Sequence, residues 1–307
     1  MDAIERTLLE RVADLHGVPE GAYNIRENGR SVARACSSNI EITTKTEEGK
    51  SGIDIRIREG TRRESVHIPV ILSRAGLQEV VYNDFYIGEG SDVLIIAGCG
   101  IHNCGVQASE HSGVHTFYVG RNARVRYVEK HYGQGDGTGE KIMNPTTQIY
   151  IEDGGCMEME TTQIKGIDST KRVTRAELGA NATLVVREKI YTHGTQRAVT
   201  DFLVNLNGEN SSADLVSRSV AAERSHQEFT AVINGNTKCH GHSECDSIIM
   251  DSGTVTALPA LTANSIDAEL IHEAAIGKIA GEQIVKLMTL GLTEEEAEQQ
   301  IIQGFLK

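Results

Sequence analysis

Gly120-Arg-Asn-Ala-Arg-Val125 and Gly179-Ala-Asn-Ala-Thr-Leu184 decide how the chain is read, because each sets a Gly and an Asn directly before an alternating run. Asn207-Gly-Glu-Asn-Ser-Ser212 and Asn234-Gly-Asn-Thr-Lys238 repeat the device. Asn and Gly enter the left-handed backbone of a tight corner at the least cost. Between the corners lie short runs of period two. Ile53, Ile55 and Ile57 alternate with Asp54, Arg56 and Arg58, as in a strand buried on one face. Similar runs occupy 66–72, 93–97, 116–119, 125–128, 148–151, 184–187, 202–206, 213–218, 229–233 and 247–250. In the second half the corners recur roughly every 25–30 residues, after a longer first interval. Short strands between Gly/Asn corners are what the stacked coils of a β-solenoid require. A sandwich or jelly roll fits the same run of strands.

The two ends differ from this middle. Residues 2–16 read as an amphipathic helix with Ile4, Leu8, Val12 and Leu15 on one face, stopped by Gly17 and Pro19. Beyond about residue 275, Ile284, Leu287 and Met288 form a stripe that ends at Gly291. Thr293 then caps a second helix, with Glu296 completing a capping box, and Ala297, Ile301 and Phe305 carry the apolar face onward. The expected organisation is a helical segment over 1–29, a β core over 30–275 and a helical hairpin over 276–307. The hairpin either caps the open end of the core or offers an apolar surface to another protein.

Composition narrows the function. The 307 residues include 31 Gly, 4% aromatics and no Trp, which suits tight turns better than a helical bundle. A net charge of −13 speaks against nucleic acid and against anionic membranes as partners. The opening residues are charged and lack the apolar core of a signal peptide, and the apolar run at 93–97 is too short to span a bilayer. The expected location is cytoplasmic, where six Cys serve metal, redox or packing roles in preference to disulfides. Gly277-Lys278 is followed by Ile279 and has no glycine at the P-loop spacing, so ATP hydrolysis would have to come from another subunit. Gly133-Gln-Gly-Asp-Gly-Thr-Gly139 reads as a flexible loop.

The chemistry concentrates in Lys238-Cys-His-Gly-His-Ser-Glu-Cys-Asp-Ser247, just ahead of the strand at 247–250. Cys239, His240, His242 and Cys245 offer thiolate and imidazole, the donors that suit zinc, copper and iron–sulfur centres. The spacing is not that of a zinc finger or ribbon. Gly98-Cys-Gly-Ile-His-Asn-Cys-Gly105 places Cys99 and Cys104 in a glycine-rich loop, as a second thiol pair for sulfur or metal or as plain turn residues. Cys36 and Cys156 read as structural, and His131, His193 and His226 as satisfied polar residues near turns.

Asn122-Ala-Arg-Val-Arg-Tyr127, Cys245-Asp-Ser247, Leu270-Ile-His-Glu-Ala-Ala275 and Gly291-Leu-Thr-Glu-Glu-Glu-Ala297 with Ile301-Ile-Gln-Gly-Phe305 together resemble the SufB/SufD proteins. These are scaffold subunits of the SUF iron–sulfur cluster assembly machinery. The resemblance covers roughly 65–306 and implies a right-handed parallel β-helix followed by C-terminal helices that dock a SufC-like ABC ATPase. It implies that Cys99 receives sulfur, that Cys245 helps build a transient cluster, and that His272 and Glu273 lie where two scaffolds meet. His111 matches a further histidine. An acidic residue often precedes the histidine matched by His272 in SufB, and here the position is Ile271. The short N-terminal region implies a compact scaffold that pairs with a second copy of itself, or with a sister scaffold. A sulfur donor, apo iron–sulfur acceptor proteins and reduced flavin are the further partners implied. On a strand, His272 and Glu273 must point to opposite faces. Two other readings stay open: a stand-alone metal-binding or redox solenoid, and a polysaccharide-acting β-helix enzyme, which would call for aromatic platforms and paired carboxylates.

Overall fold

The structure is a computed structural model and describes residues 3–13, 15, 19 and 21–307. Helix α1 (Ala3–Ala13) is followed by four short strands, β1 (Ala22–Glu27), β2 (Arg30–Ala35), β3 (Ile40–Thr44) and β4 (Gly52–Ile57). The chain then runs through β5 (Arg62–Leu72), β6 (Gln78–Ile87), β7 (Asp92–His102), β8 (Ser109–Val119), β9 (Arg124–Gln134), β10 (Lys141–Met143) and β11 (Thr146–Ile151). Next come β12 (Cys156–Lys165), β13 (Ser169–Leu178), β14 (Thr183–Thr192), β15 (Arg197–Leu206) and β16 (Ser211–Ala221). Strands β17 (His226–Gly235), β18 (Cys239–Ile249), β19 (Thr254–Ala263) and β20 (Ala268–Gly277) complete the core, and helices α2 (Gly281–Met288) and α3 (Glu294–Phe305) follow.

These strands build the two walls of a β-solenoid of about eight coils. One wall has the order β2-β1-β5-β7-β9-β12-β14-β16-β18-β20. The other has the order β19-β17-β15-β13-β10-β8-β6-β4-β3, with β11 continuing β10. From β5 onward every pairing is parallel, as between β7 and β9 or β16 and β18. At the N-terminal end β1–β2 and β3–β4 turn back as antiparallel pairs. Coils shorten along the chain, since Val93 stacks on Val125 but Cys156 on Thr183.

The corners behave as their composition requires. Asn122, Asn181 and Asn210 hold φ of 53°, 55° and 57°. Glu223 and Asp251 adopt the same left-handed backbone without an Asn or Gly to announce it. Gly208 is needed for a different reason: a Cβ there would lie 2.0 Å from the backbone nitrogen of Ala180 on the coil below.

Alternation buries one face of most strands in the lumen, whereas β2, β19 and β20 bury no residue. Much of the lumen is apolar, with Phe85 stacked on Phe117 at 4.3 Å. Outside the wall, α1 lies over β5, β7 and β9 and packs Leu8, Leu9, Val12 and Ala13 against Ile25 and Ile71. Gly98 and Gly100 permit that approach, because a Cβ on Gly98 would sit 2.4 Å from the Val12 carbonyl oxygen. The stretch around Cys99 is therefore strand through His102, not a glycine-rich loop. Ile4, expected on the buried face, is exposed. The expected stop at Gly17 lies outside the described residues. The first strand begins at Ala22, within the segment read as helical.

The hairpin packs on the flank of the coils. Ile302 and Leu306 meet Val220, with Tyr191, Ile248, Met250, Ile279 and Phe305 around them. The capping box at Thr293 and Glu296 is formed. Ala297 is fully buried, so it cannot itself face a partner, and Ile302 takes the inward place expected of Ile301. Helix α2 buries no residue and leaves Val285, Met288 and, just beyond it, Leu290 exposed. Among the described residues no strand lies beyond β19 and β20.

Candidate thiol and metal-ligand site

The ten-residue stretch singled out above forms β18 itself, and alternation sorts its chemistry onto two faces. Cys239, Gly241, Ser243, Cys245 and Ser247 face the lumen, while His240, His242, Glu244 and Asp246 face outward. Cys239 and Cys245 share a face but stand six residues apart, about 20 Å along a strand, so they cannot share a ligand. Burial pushes the Cys245 thiol up to about 11, and the nearby Glu188 and Asp246 charges add to the shift. The Ser247 hydroxyl, 3.9 Å away, opposes it.

On the next coil, His272 stacks on Ser243 and so lies on the lumen side, diagonal to Cys245 at about 7–8 Å. Both its ring nitrogens are buried without a hydrogen-bond partner, an expensive state that a ligand or a closing surface would relieve. Glu273 stacks on Glu244 and faces outward. The constellation expected around Cys245 is thus divided, with thiol and imidazole inside and the carboxylate outside.

The outer group is compact. Ligand atoms of His242, Glu244 and Glu273 lie within 4.8 Å of one another. Asp214 on the neighbouring strand holds His242 Nδ1 at 2.8 Å and also pairs with Arg187. That contact fixes the imidazole and frees Nε2, the arrangement seen around metal-bound histidines. Burial and the adjacent Asp246 push the Glu244 carboxyl up, a strain that a cation would remove. His240 stands apart and reaches only Glu269, at 3.9 Å.

Cys99 lies in the lumen at the other end of the same wall, stacked between Val70 and His131. It lines a cavity of about 20 Å³ together with His111, His115, Glu129 and His131. Burial, then the Glu79 and Glu129 charges, push its thiol well up. His111 Nδ1 meets Glu79 at 3.0 Å, and Glu79 also accepts from Arg26 at 2.9 Å. Burial lowers His115 to about 4.

From this chamber a chain of buried polar contacts runs toward Cys245. His115 Nδ1 donates to the Tyr127 hydroxyl at 2.9 Å, and Tyr127 donates to Glu129 at 3.0 Å. Arg172 donates to Glu129 at 2.6 Å and lies 3.5 Å from Glu188. Thr200 and Ser217 donate to Glu188 at 3.0 and 2.8 Å, and Ser217 stacks directly on Cys245. Burial pushes Glu129 up, but Arg172 and His131 outweigh it and hold the carboxyl well below its usual range. Glu188, with less compensation, is raised. His131 belongs to this network through Arg172 and is not an isolated turn residue. The signal available was a charged residue at an alternation-inward position, as at Glu129, Arg172 and Glu188.

Cys104 is outside the chamber, exposed, with Sγ 3.0 Å from His102 Nε2. Cys36 is also exposed and Cys156 half-buried. His226 bonds Thr254 at 2.8 Å and His193 packs on Tyr191.

The chain is thus a parallel solenoid with thiols in its lumen and an imidazole–carboxylate group on its last coils. Residues 77–305 match the profile of the SUF system FeS cluster assembly SufBD core domain, and the chain belongs to that family. An iron-sulfur cluster assembly SufBD family protein of Methanocaldococcus jannaschii is 24% identical over all of this chain and 96% of its own length. One from Archaeoglobus fulgidus is 31% identical over 85% of this chain and 69% of its own. One from Pyrococcus horikoshii is 27% identical over 97% and 84%. Among the described residues no helix is long and apolar enough to cross a membrane.

Proposed function

We propose that the chain accepts sulfur at Cys99 and builds a transient iron–sulfur cluster in its last coils, driven by a separate ABC-type ATPase. Its cargo would be iron held first by His242, Glu244 and Glu273, and sulfur bound for Cys245. The observation that carries this reading is the buried polar chain running through the lumen from His115, in the Cys99 chamber, to Ser217, beside Cys245. Structural economy does not explain it, because buried charges contribute little net stability compared with an apolar core.

An imidazole and two carboxylates bind a divalent ion without the permanence of a four-thiolate site, as suits cargo that must leave. Cys245 and the outer group cannot ligate one ion while β18 keeps its alternation. A protonated, enclosed thiol also makes a poor ligand. Opening the last coils is therefore part of the work, and it requires an outside source of energy. Helix α2, with its exposed Val285, Met288 and Leu290, is the surface offered to the ATPase, beside Ile284, Leu287 and the flanking Ile301 and Phe305. A second copy would pair along the free edge of β20, which brings His272 and Glu273 to the seam. Acceptor proteins and any reduced flavin would act on the opened site.

Anaerobic reconstitution with ferrous iron and a sulfur donor tests the assignment. Cys99→Ser and Cys245→Ser should each lose the cluster absorbance, and His242→Ala with Glu244→Ala should lower ferrous iron binding before sulfur is added. Full cluster yield from both thiol variants would defeat the proposal.

A further inference from the structure

We propose that the N-terminal mouth of the solenoid is an anion port through which an amino-acid-sized persulfide reaches Cys99. This rests on the sulfur-receiving role given to that thiol above. The antiparallel strands β1–β2 and β3–β4 leave between them a cleft of about 300 Å³, large enough for a ligand of that size. Arg26, Arg30, Arg34 and Lys45 all line it. Two of these cations are already neutralised, since Arg26 pairs with Glu79 and Lys45 with Asp54 and Asp84.

The other two keep their charge. Arg34 is fixed by neutral oxygens alone, donating to Asn24 Oδ1 and Thr44 Oγ1, each at 2.9 Å. Arg30 is exposed on the same strand, across the hairpin from Glu27. An arginine held by neutral oxygens, with a second at the lip of the same opening, is conspicuous in a chain of net charge −13. Guanidinium forks set in a concave wall draw and orient anions.

The cleft leads toward the thiol. Arg26, Val70 and Cys99 occupy one lumen-facing row, so the cleft floor lies two strand spacings, about 10 Å, from Cys99. Ile68, Val70 and Asn83 wall both the cleft and the Cys99 chamber. The chamber has room for about one water, hence for the terminal sulfur atom of a donor but not its body. The body would stay in the cleft. Most of the mouth precedes residue 77, so it lies outside the part of the chain that matches the family profile.

The transfer itself balances without an added oxidant. The Cys99 sulfur attacks the terminal sulfur of the persulfide R–S–SH, and the donor S–S bond breaks. Cys99 becomes a persulfide, and its thiol proton leaves with the departing R–SH.

The test uses the full chain, reduced and anaerobic, with cysteine persulfide as probe, and times the gain of one sulfur atom on the Cys99 peptide by mass spectrometry. Arg30→Ala with Arg34→Ala should slow sulfur gain about tenfold. The lysine pair Arg30→Lys, Arg34→Lys should recover most of the rate, and salt should erode the difference. Equal rates in all three proteins would overturn the port, as would absence of sulfur on Cys99 in the unaltered chain. Loss of cluster in Cys99→Ser with either of those results would leave the assembly role standing and the port refuted.

Discussion

Each thiol's reactivity follows from where alternation sends its side chain. Cys36 and Cys104 are exposed, so these two should react with iodoacetamide first. Cys245, pushed up to about 11, should resist at pH 7 and gain reactivity as pH rises toward that value. Peptide mapping of partially alkylated protein checks the order, and early labelling of Cys245 at neutral pH would contradict its lumen position. His115 supplies a second residue-scale prediction. Burial lowers it from 6.5 to about 4, so between those values the unfolded chain takes up a proton that the native one refuses. Stability must therefore rise with pH across that window, by about 3 kcal/mol in all. Urea midpoints measured from pH 4 to 7 should show the rise, and His115→Gln should flatten it. Glu129, held low, adds stability present above the ordinary carboxylate range and lost only in stronger acid.

At the scale of elements, the strands and the capping box were legible because their causes are local. Period two and a Thr-x-x-Glu spacing stand in the sequence itself. The corners at Glu223 and Asp251 were not legible, since stacking on the neighbouring coil imposes a backbone that the residue type does not request. The strand at Cys99 was hidden for a related reason: Gly98 and Gly100 look like loop residues but are small to admit α1. The same limit applied to the site. Sequence fixed the opposition of His272 and Glu273, but which of them joins Cys245 depended on the parity of β18, and its small, polar residues resemble a turn. The helical hairpin yields an element-scale prediction. Ile302→Asp should detach α3 from Val220 and lower the thermal midpoint, whereas Val285→Asp with Leu290→Asp should leave it within about a degree and abolish ATPase co-purification. Retained co-purification in the second variant would move the docking surface elsewhere.

Across the whole molecule, the two ends differ. Antiparallel pairs end the N-terminal walls around the cleft, whereas β19 and β20 end the sheets with unpaired edges beside exposed Leu258, Ile271 and Ile276. Long apolar edges invite another strand. Pro259 removes a donor from β19, whereas β20 carries ten residues without a proline, so β20 is the edge able to pair. Antiparallel self-pairing of that strand centred on Glu273 would set this carboxylate opposite its own counterpart and keep both outer faces on one side. Two outer ligand groups would then face each other across one seam, and the unpartnered imidazoles would be enclosed. The chain should therefore sediment as a dimer. Ile271→Lys with Ile276→Lys, both at exposed positions, should give monomers with an unchanged thermal midpoint, because lysine on an edge opposes pairing without disturbing the coils behind it. Ferrous iron affinity should fall in the same variant, since each site would lose the carboxylate contributed across the seam. A dimer that survives both lysines, or a monomer that binds iron as tightly as the unaltered chain, would separate the metal group from the edge.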